Sequence, residues 1–240
     1  MKRYRWLLGC CLFLSIGMLW AADEPDLRML QQKAAQSRDM EGYVGVCKYL
    51  YQTEENPELL LLYADSIHQL ATKSKKPEQL VEYYIWASEG NFIKGDFQQG
   101  YALKRKAIAL AEKAGLKFAI SQSCCDMGYY CNVDARYDSA RYYFRKGLEA
   151  GEDLSEAGEA CRTMLTNYAS SFLFEGKTDS ALVYTIRASE RSAADKDTAM
   201  LIENLNQLGT IYRRKKDLEN CIANFEQALH LCELRGNHNA

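Results

Sequence analysis

The feature that most constrains the fold is an internal repeat, 40 or 41 residues long, over residues 81–236. Small residues recur at these intervals in three columns that share one register. The columns are Ser88, Gly128, Ala169 and Gly209; Gly100, Ala140, Ala181 and Cys221; and Ala107, Gly147, Ala188 and Ala228. Two antiparallel helices that cross closely leave no room for a branched side chain. The repeating unit is therefore predicted to be a pair of helices.

Apolar residues recur at helical spacing from Pro25 onward, and Gly, Asp, Asn or Pro interrupts the pattern at short intervals. This arrangement predicts an all-α protein in which short turns join the helices. The predicted helices span residues 25–37, 39–53, 57–73, 77–94, 96–114, 117–134, 136–151, 155–175, 178–194, 197–215 and 217–235.

The residues between the small columns resemble the tetratricopeptide repeat (TPR), in which W-x2-L-G-x2-Y on one helix precedes A-x3-F on the next. The fourth copy is the closest, with Leu205-x2-Leu208-Gly209-x2-Tyr212 and then Cys221-x3-Phe225. The second copy reads Cys124-x2-Met127-Gly128-x2-Cys131 and then Ala140-x3-Phe144. The resemblance implies a right-handed α-solenoid of TPR-like helix pairs whose period, 40–41 residues, exceeds that of the family.

The first 22 residues differ in composition from the rest of the chain. Lys2, Arg3 and Arg5 precede a largely apolar run, which is typical of a secretory signal peptide. Retention as an N-terminal anchor stays open, and so does a lipoprotein box at Cys10. The predicted organisation is a leader over 1–22, N-terminal helices with an eroded repeat over 23–80, four TPR-like repeats over 81–236 and a tail over 237–240. The protein is expected to be exported, either to the periplasm or anchored facing it.

Charge and motifs argue against catalysis and against nucleic-acid binding. The formal net charge is −2, and the basic run Lys104-Arg105-Lys106 is interpreted as a solvated helix face. The three His residues stand in no recognisable catalytic frame, and no phosphate-binding or metalloprotease motif occurs. The chain is therefore predicted not to be an enzyme, with no catalytic residue, no metal and no cofactor.

The sequence contains nine Cys, of which Cys10 and Cys11 belong to the leader. Buried thiols are the favoured interpretation of the remaining seven. One disulfide between neighbouring helices stays open, since partners on one helix are too far apart. Metal binding by Cys124, Cys125 and Cys131 is disfavoured because no His lies near them.

Binding residues are expected on the concave face, which the first helix of each pair lines in this family. Polar side chains and exposed aromatics there suit an extended peptide or a partner helix. An unoccupied, solvated concave face is the alternative. The candidates that point away from the second helix are Glu82, Trp86, Glu89, Phe92, Asp126, Tyr129, Asn132, Asn167, Ser170, Gln207 and Arg213.

The resemblance extends to the extracytoplasmic TPR regions of bacterial envelope and signalling proteins, and it implies binding of a protein or peptide partner. One expected role is a scaffold in the cell envelope. The alternative is the sensor region of a longer membrane-bound histidine kinase or transcription regulator, of which this chain would be the N-terminal part. Membrane contact is expected only through an uncleaved N-terminal segment.

The last predicted helix carries an apolar stripe without a capping helix after it. One side of the stripe is expected to remain open, because only part of it can pack on the preceding helix. The chain is therefore expected to self-associate through this helix or to be truncated from a longer protein. The stripe consists of Ile222, Phe225, Leu229, Leu231 and Leu234.

Overall fold

A computed structural model describes residues 27–54 and 56–237. These residues form eleven α-helices and one short 3-10 helix at Ser155–Ala157, without a strand. The helices are α1 (Leu27–Ser37), α2 (Met40–Thr53), α3 (Pro57–Ser74), α4 (Pro77–Lys94), α5 (Phe97–Ala114), α6 (Lys117–Val133), α7 (Tyr137–Gly151), α8 (Gly158–Phe174), α9 (Thr178–Ala194), α10 (Thr198–Arg214) and α11 (Leu218–Asn237). The predicted leader, 1–22, and residues 238–240 of the predicted tail lie outside the described residues.

Local signals at the turns set the helix ends. Gly95 has a φ of 93°, a left-handed conformation that costs glycine little, and it ends α4. The Asp96 side chain then accepts a hydrogen bond from the backbone N–H of Gln99 at 3.0 Å and caps α5. Asp197 caps α10 in the same way through Met200 at 3.0 Å. Because such signals can be read from the sequence, the predicted helix bounds agree with the structure to within three residues.

The chain falls into two compact units, each with its own packing. The N-terminal unit contains the described residues up to Met127 together with Glu149–Ala157. Its core is built by side chains of α1 to α5, among them Leu50, Leu60 and Trp86. The C-terminal unit contains the described residues 128–148 and 158–237. In both units, helices that follow each other along the chain pack together.

All twelve residues of the three small columns are buried. Phe144 fills the space beside Gly128 so closely that a Cβ added to Gly128 would lie 2.3 Å from its ring. A Cβ added to Gly209 would likewise lie 2.8 Å from the ring of Phe225. The columns are thus the close contacts between paired helices, and the predicted all-α solenoid of TPR-like helix pairs is confirmed.

The seven Cys residues of the described chain carry thiols rather than disulfide bonds. Cys232 is exposed and the others are buried. Burial, with a smaller contribution from the negative charge of Glu82, raises the pKa of Cys47 to about 12. None of the described helices is both long and apolar enough to span a bilayer.

Candidate functional site

Four predicted binding residues of the C-terminal unit form a continuous row across three first helices. Asn132 on α6 donates a hydrogen bond from Nδ2 to the backbone oxygen of Asn167 on α8, at 3.0 Å. Ser170 lies one turn further along α8 and accepts a hydrogen bond from Nε2 of Gln207 on α10, at 2.6 Å. We call Asn132, Asn167, Ser170 and Gln207 the amide row.

The two ends of the row differ in how their amides are held. The Gln207 side chain is fixed between Ser170 and the hydroxyl of Thr185, which lies 3.1 Å from its Oε1 atom. Asn132 is 7% exposed, and its Oδ1 atom is buried without a hydrogen-bond partner in the described chain. A buried acceptor of this kind is uncommon in a folded protein, because losing its water costs free energy. The row therefore combines a fixed amide with an unsatisfied one.

The Asn167 side chain is half-buried and forms no hydrogen bond within the described residues, so its amide is available to a ligand. Two larger predicted residues lie in the same unit. Tyr129 is half-buried with its ring 5.5 Å from that of Tyr130, and Arg213 is exposed. Side chains of these two types often anchor protein interfaces.

The prediction that Trp86 is exposed is wrong, because it is only 8% exposed. Its ring packs edge-on against Tyr51 of α2 at 6.2 Å, and its Nε1 atom donates to Glu82 at 2.9 Å. The cause is that α2 and α3 cover the first helix of the first repeat, so a face expected to meet solvent meets protein. Glu82 itself is half-buried.

Glu89 and Phe92 are also buried, contrary to the prediction. The Phe92 ring occupies the space beside Gly100 and contacts Tyr101 edge-on at 5.2 Å, so it is a core residue. Glu89 pairs with Lys104, which is completely buried and also lies 2.9 Å from Asp126. The interpretation of Lys104 as part of a solvated face is therefore wrong.

The three charges form one network within the N-terminal unit. Burial alone would lower the pKa of Lys104, but the carboxylates of Asp126 and Glu89 outweigh it and raise that pKa. Lys104 is therefore protonated at neutral pH, where the two carboxylates stabilise its charge. Asp126, whose side chain is 25% exposed, is the part of the network that an incoming ligand can reach.

Sequence reasoning also missed a polar network in the C-terminal unit. Thr166 on α8 donates to Oδ1 of Asn204 at 2.9 Å, and Nδ2 of Asn204 donates to Ser192 at 3.1 Å. All three side chains are buried. Their hydrogen bonds fix the spacing of α8, α9 and α10 and hence the position of Gln207 relative to Asn167 and Ser170 in the amide row. No local pattern in the sequence marks these residues.

The fold is similar to that of two solved proteins. The structure of BtubC (BKLC) from P. vanneervenii aligns with a TM-score of 0.70 and 13% identity over 88% of each chain. A structure of nearly identical TPR-like repeats, named after kinesin light chain, from Podosopora anserina aligns with a TM-score of 0.64 and 10% identity. That alignment covers 83% of this chain and 97% of the other. At such identities the likeness concerns the fold.

No protein-family model matches the chain, and no curated protein is significantly similar to it in sequence.

Proposed function

We propose that the chain is a non-catalytic scaffold of the cell envelope that binds an extended peptide segment of a partner protein along the amide row. TPR-like helix pairs stack side by side and present their first helices as a binding surface, which supports a scaffold. Export to the periplasm rests on the composition of residues 1–22, and any membrane attachment would run through that segment. Nucleic acid is not proposed as a partner.

The observation that carries this proposal is the half-buried amide of Asn167, which forms no hydrogen bond within the described residues and lies beside Asn132 in the row. An extended peptide offers a backbone N–H and a carbonyl at every residue, and an amide side chain can donate to one and accept from the other. Binding a backbone is thus the chemistry for which the row is prepared.

Other predicted residues are proposed as further contacts to the partner. Tyr129 and Arg213 belong to the residue types that most often anchor interfaces. Glu82 and Asp126 are proposed as acidic contacts in the N-terminal unit, where both are half-buried.

The test begins with random linear peptides displayed on phage and selected on the whole protein. The affinity of each selected peptide is then measured by calorimetry for the wild type, for Asn167→Ala and for Gln207→Ala. Asn167→Ala should weaken binding about tenfold, because two amide hydrogen bonds are lost. It should leave Tm unchanged, because the Asn167 side chain forms no internal hydrogen bond.

The matched control is Gln227→Ala, which removes an exposed amide from α11, outside the row. Equal loss of affinity in this control and in the row variants would contradict the proposal, and so would selected peptides that bind both row variants like the wild type.

The alternative role as a sensor region of a longer signalling protein stays a prediction, since nothing in the described residues favours it. Self-association through the C-terminal helix also stays a prediction, and the experiment of the next subsection distinguishes it.

A further inference from the structure

One side of α11 carries five apolar side chains at alternating spacings of four and three residues. This heptad spacing places them in one line along a helix. All five are exposed, with Leu218 at 65%, Ile222 at 56% and Leu229 at 60%. Leu231 lies elsewhere, half-buried against Leu205 and Leu208. We call Leu218, Ile222, Phe225, Leu229 and Cys232 the outer stripe.

The same five positions are covered in every earlier repeat. On α9 they are held by Thr178, Leu182, Thr185, Ser189 and Ser192; on α7 by Tyr137, Arg141, Phe144, Leu148 and Gly151; and on α5 by Phe97, Tyr101, Lys104, Ile108 and Ala111. Each of these residues is buried or half-buried, and none is exposed. The outer stripe therefore occupies positions that are covered by protein in the earlier repeats.

The following first helix provides the cover in the earlier repeats. Thr185 contacts Gln207 at 3.1 Å and Ser192 contacts Asn204 at 3.1 Å, and both partners lie on α10. On α7, the backbone oxygen of Ser171 on α8 lies 3.5 Å from Arg141. The outer stripe is thus shaped to receive one more helix, which would run antiparallel to α11.

An acidic row borders the stripe on one edge. Glu219, Glu226 and Glu233 are seven residues apart, so they line up two turns apart along α11, and all three are exposed. The opposite edge of the stripe is formed by Cys221 and Ala228, which are buried. A helix that covers the stripe would therefore place one of its edges along three carboxylates.

The preceding repeat shows how such a carboxylate is matched. Asp179 on α9 occupies the position of Glu219, and it pairs with Lys215, the residue that directly follows α10. The residue that follows the covering helix α10 thus brings a positive charge to the acidic edge. Glu226 and Glu233 extend that edge along the rest of α11.

We infer that the outer stripe binds a helix of another protein, with an apolar stripe of its own and Lys or Arg at seven-residue intervals on one edge. A second copy of this chain fits poorly. Two identical helices that pair antiparallel about a two-fold axis bring the same edge of each together, so Glu219, Glu226 and Glu233 of one copy would face those of the other. Like charges at such distances oppose pairing, whereas a basic edge attracts.

The probes are two synthetic three-heptad helical peptides with the same leucine stripe. One has Lys and the other Glu at the position that would face the acidic row. Binding of each peptide to the whole protein is measured by fluorescence anisotropy at low and at high salt. The Lys peptide should bind at least about tenfold more tightly than the Glu peptide, and the difference should shrink as salt screens the charges.

Three variants, each checked for helical circular dichroism, locate the site. The triple variant Glu219→Lys, Glu226→Lys and Glu233→Lys should reverse the preference between the peptides. Leu229→Asp should abolish binding of both. Val183→Asp, a matched change at a 63% exposed position on α9, should leave binding unchanged.

Several outcomes would overturn the inference. These are equal affinity for the two peptides, no binding of either, or binding that survives Leu229→Asp. Light scattering of the protein alone adds a further one: oligomers that Leu229→Asp disperses would identify a second copy as the occupant. None of these results bears on the amide row, so the two proposals fail separately.

Discussion

The first and second repeats fill the same position of the repeat, held by Lys104 in the first and by Phe144 in the second, in opposite ways. In the second repeat this position holds Phe144, whose ring lies against Gly128 of the first helix. In the first repeat it holds Lys104, and the ring comes from Phe92 on the first helix, which lies against Gly100 of the second. The large and the small partner have exchanged helices, and in both pairs an added Cβ would meet the ring, at 2.3 Å beside Gly128 and at 2.7 Å beside Gly100.

The exchange shows that the contact between a ring and a glycine can form with either helix of the pair supplying the ring. Where Phe144 fills space with an aromatic ring, Lys104 fills it with a charge that needs Glu89 and Asp126 beside it. Withdrawing those charges from water costs free energy, and only their mutual pairing recovers it. The first repeat therefore depends on three residues together where the second depends on one ring and one glycine.

The largest effect is expected when Lys104, the buried cation of the first repeat, is replaced. Lys104→Met should lower the free energy of unfolding by about 3–5 kcal/mol, because Glu89 would remain buried without its countercharge. Urea unfolding followed by circular dichroism measures this loss. Lys113→Met, an exposed lysine on the same helix, is the control and should change stability little.

The double variant Lys104→Met with Glu89→Met should recover much of the loss, because the buried charge is then removed as well. A double variant that is no more stable than Lys104→Met would contradict the description of Lys104 and Glu89 as an ion pair.

The next effect concerns the contact between Gly128 and the Phe144 ring in the second repeat. Gly128→Ala should cost about 1–3 kcal/mol, because the added Cβ would lie 2.3 Å from the Phe144 ring and force it to move. The control is Gly45→Ala on α2, where the nearest atom is 4.0 Å away. That change should be neutral or raise stability by up to about 1 kcal/mol, since alanine favours helix. Equal thermal melts for the two variants would refute the close contact.

A third effect is expected in the third repeat, where Thr185 occupies the position that Lys104 and Phe144 hold in the first two. Its hydroxyl lies 2.8 Å from the carbonyl oxygen of Ala181 and 3.1 Å from Oε1 of Gln207. Thr185→Val keeps the volume and removes the hydroxyl, so it should cost about 1 kcal/mol. A double-mutant cycle with Gln207→Ala measures the part that belongs to their contact, and strictly additive changes would show that the two side chains do not interact.

The smallest effect depends on pH and contrasts two carboxylates withdrawn from water. Glu89 meets the positive charge of Lys104, whereas Glu203 meets the negative charge of Asp197. Burial first, and Asp197 second, raise the pKa of Glu203 from its ordinary 4.5. The folded state thus holds this proton more tightly than the unfolded state, so ionisation of Glu203 destabilises the protein as pH rises above 4.5.

Glu203→Gln removes that ionisation. The variant should melt at a higher temperature than the wild type at neutral pH, and the difference should disappear in acid, where the wild-type carboxyl is protonated in both states. Scanning calorimetry at both pH values decides. A wild type that is the more stable protein at neutral pH would reverse the sign and contradict the raised pKa.

The helices and their pairing could be predicted from the sequence because their signals are local. Gly95 and Asp96 mark a turn by their own conformational and capping preferences, whatever surrounds them. The buried columns could be predicted because they recur: Ala140 and Ala181 report the same contact in different repeats. Repetition supplies a comparison that a single stretch of sequence lacks.

The candidate site was harder to predict because stacking, rather than the helix itself, decides which face meets water. A helical wheel places Trp86 opposite the second helix of its repeat, but α2 covers that side. Lys104 did carry a usable signal, since it stands in the column of Phe144, a buried position. The unsatisfied oxygen of Asn132 carried none, because its burial depends on how the helices pack and not on the sequence around it.

The burial of the cysteines has a consequence for the study of motion in this protein. Cys47 is inaccessible in the N-terminal unit and Cys221 is nearly so in the C-terminal unit, while Cys232 is exposed on α11. An alkylating reagent can modify a buried thiol only during a transient local opening. The rate of modification therefore reports how often that region unfolds locally. The alkylation rates of Cys47 and Cys221 therefore measure local opening separately in the two units. Cys232 provides the reference rate of an exposed thiol on the same chain.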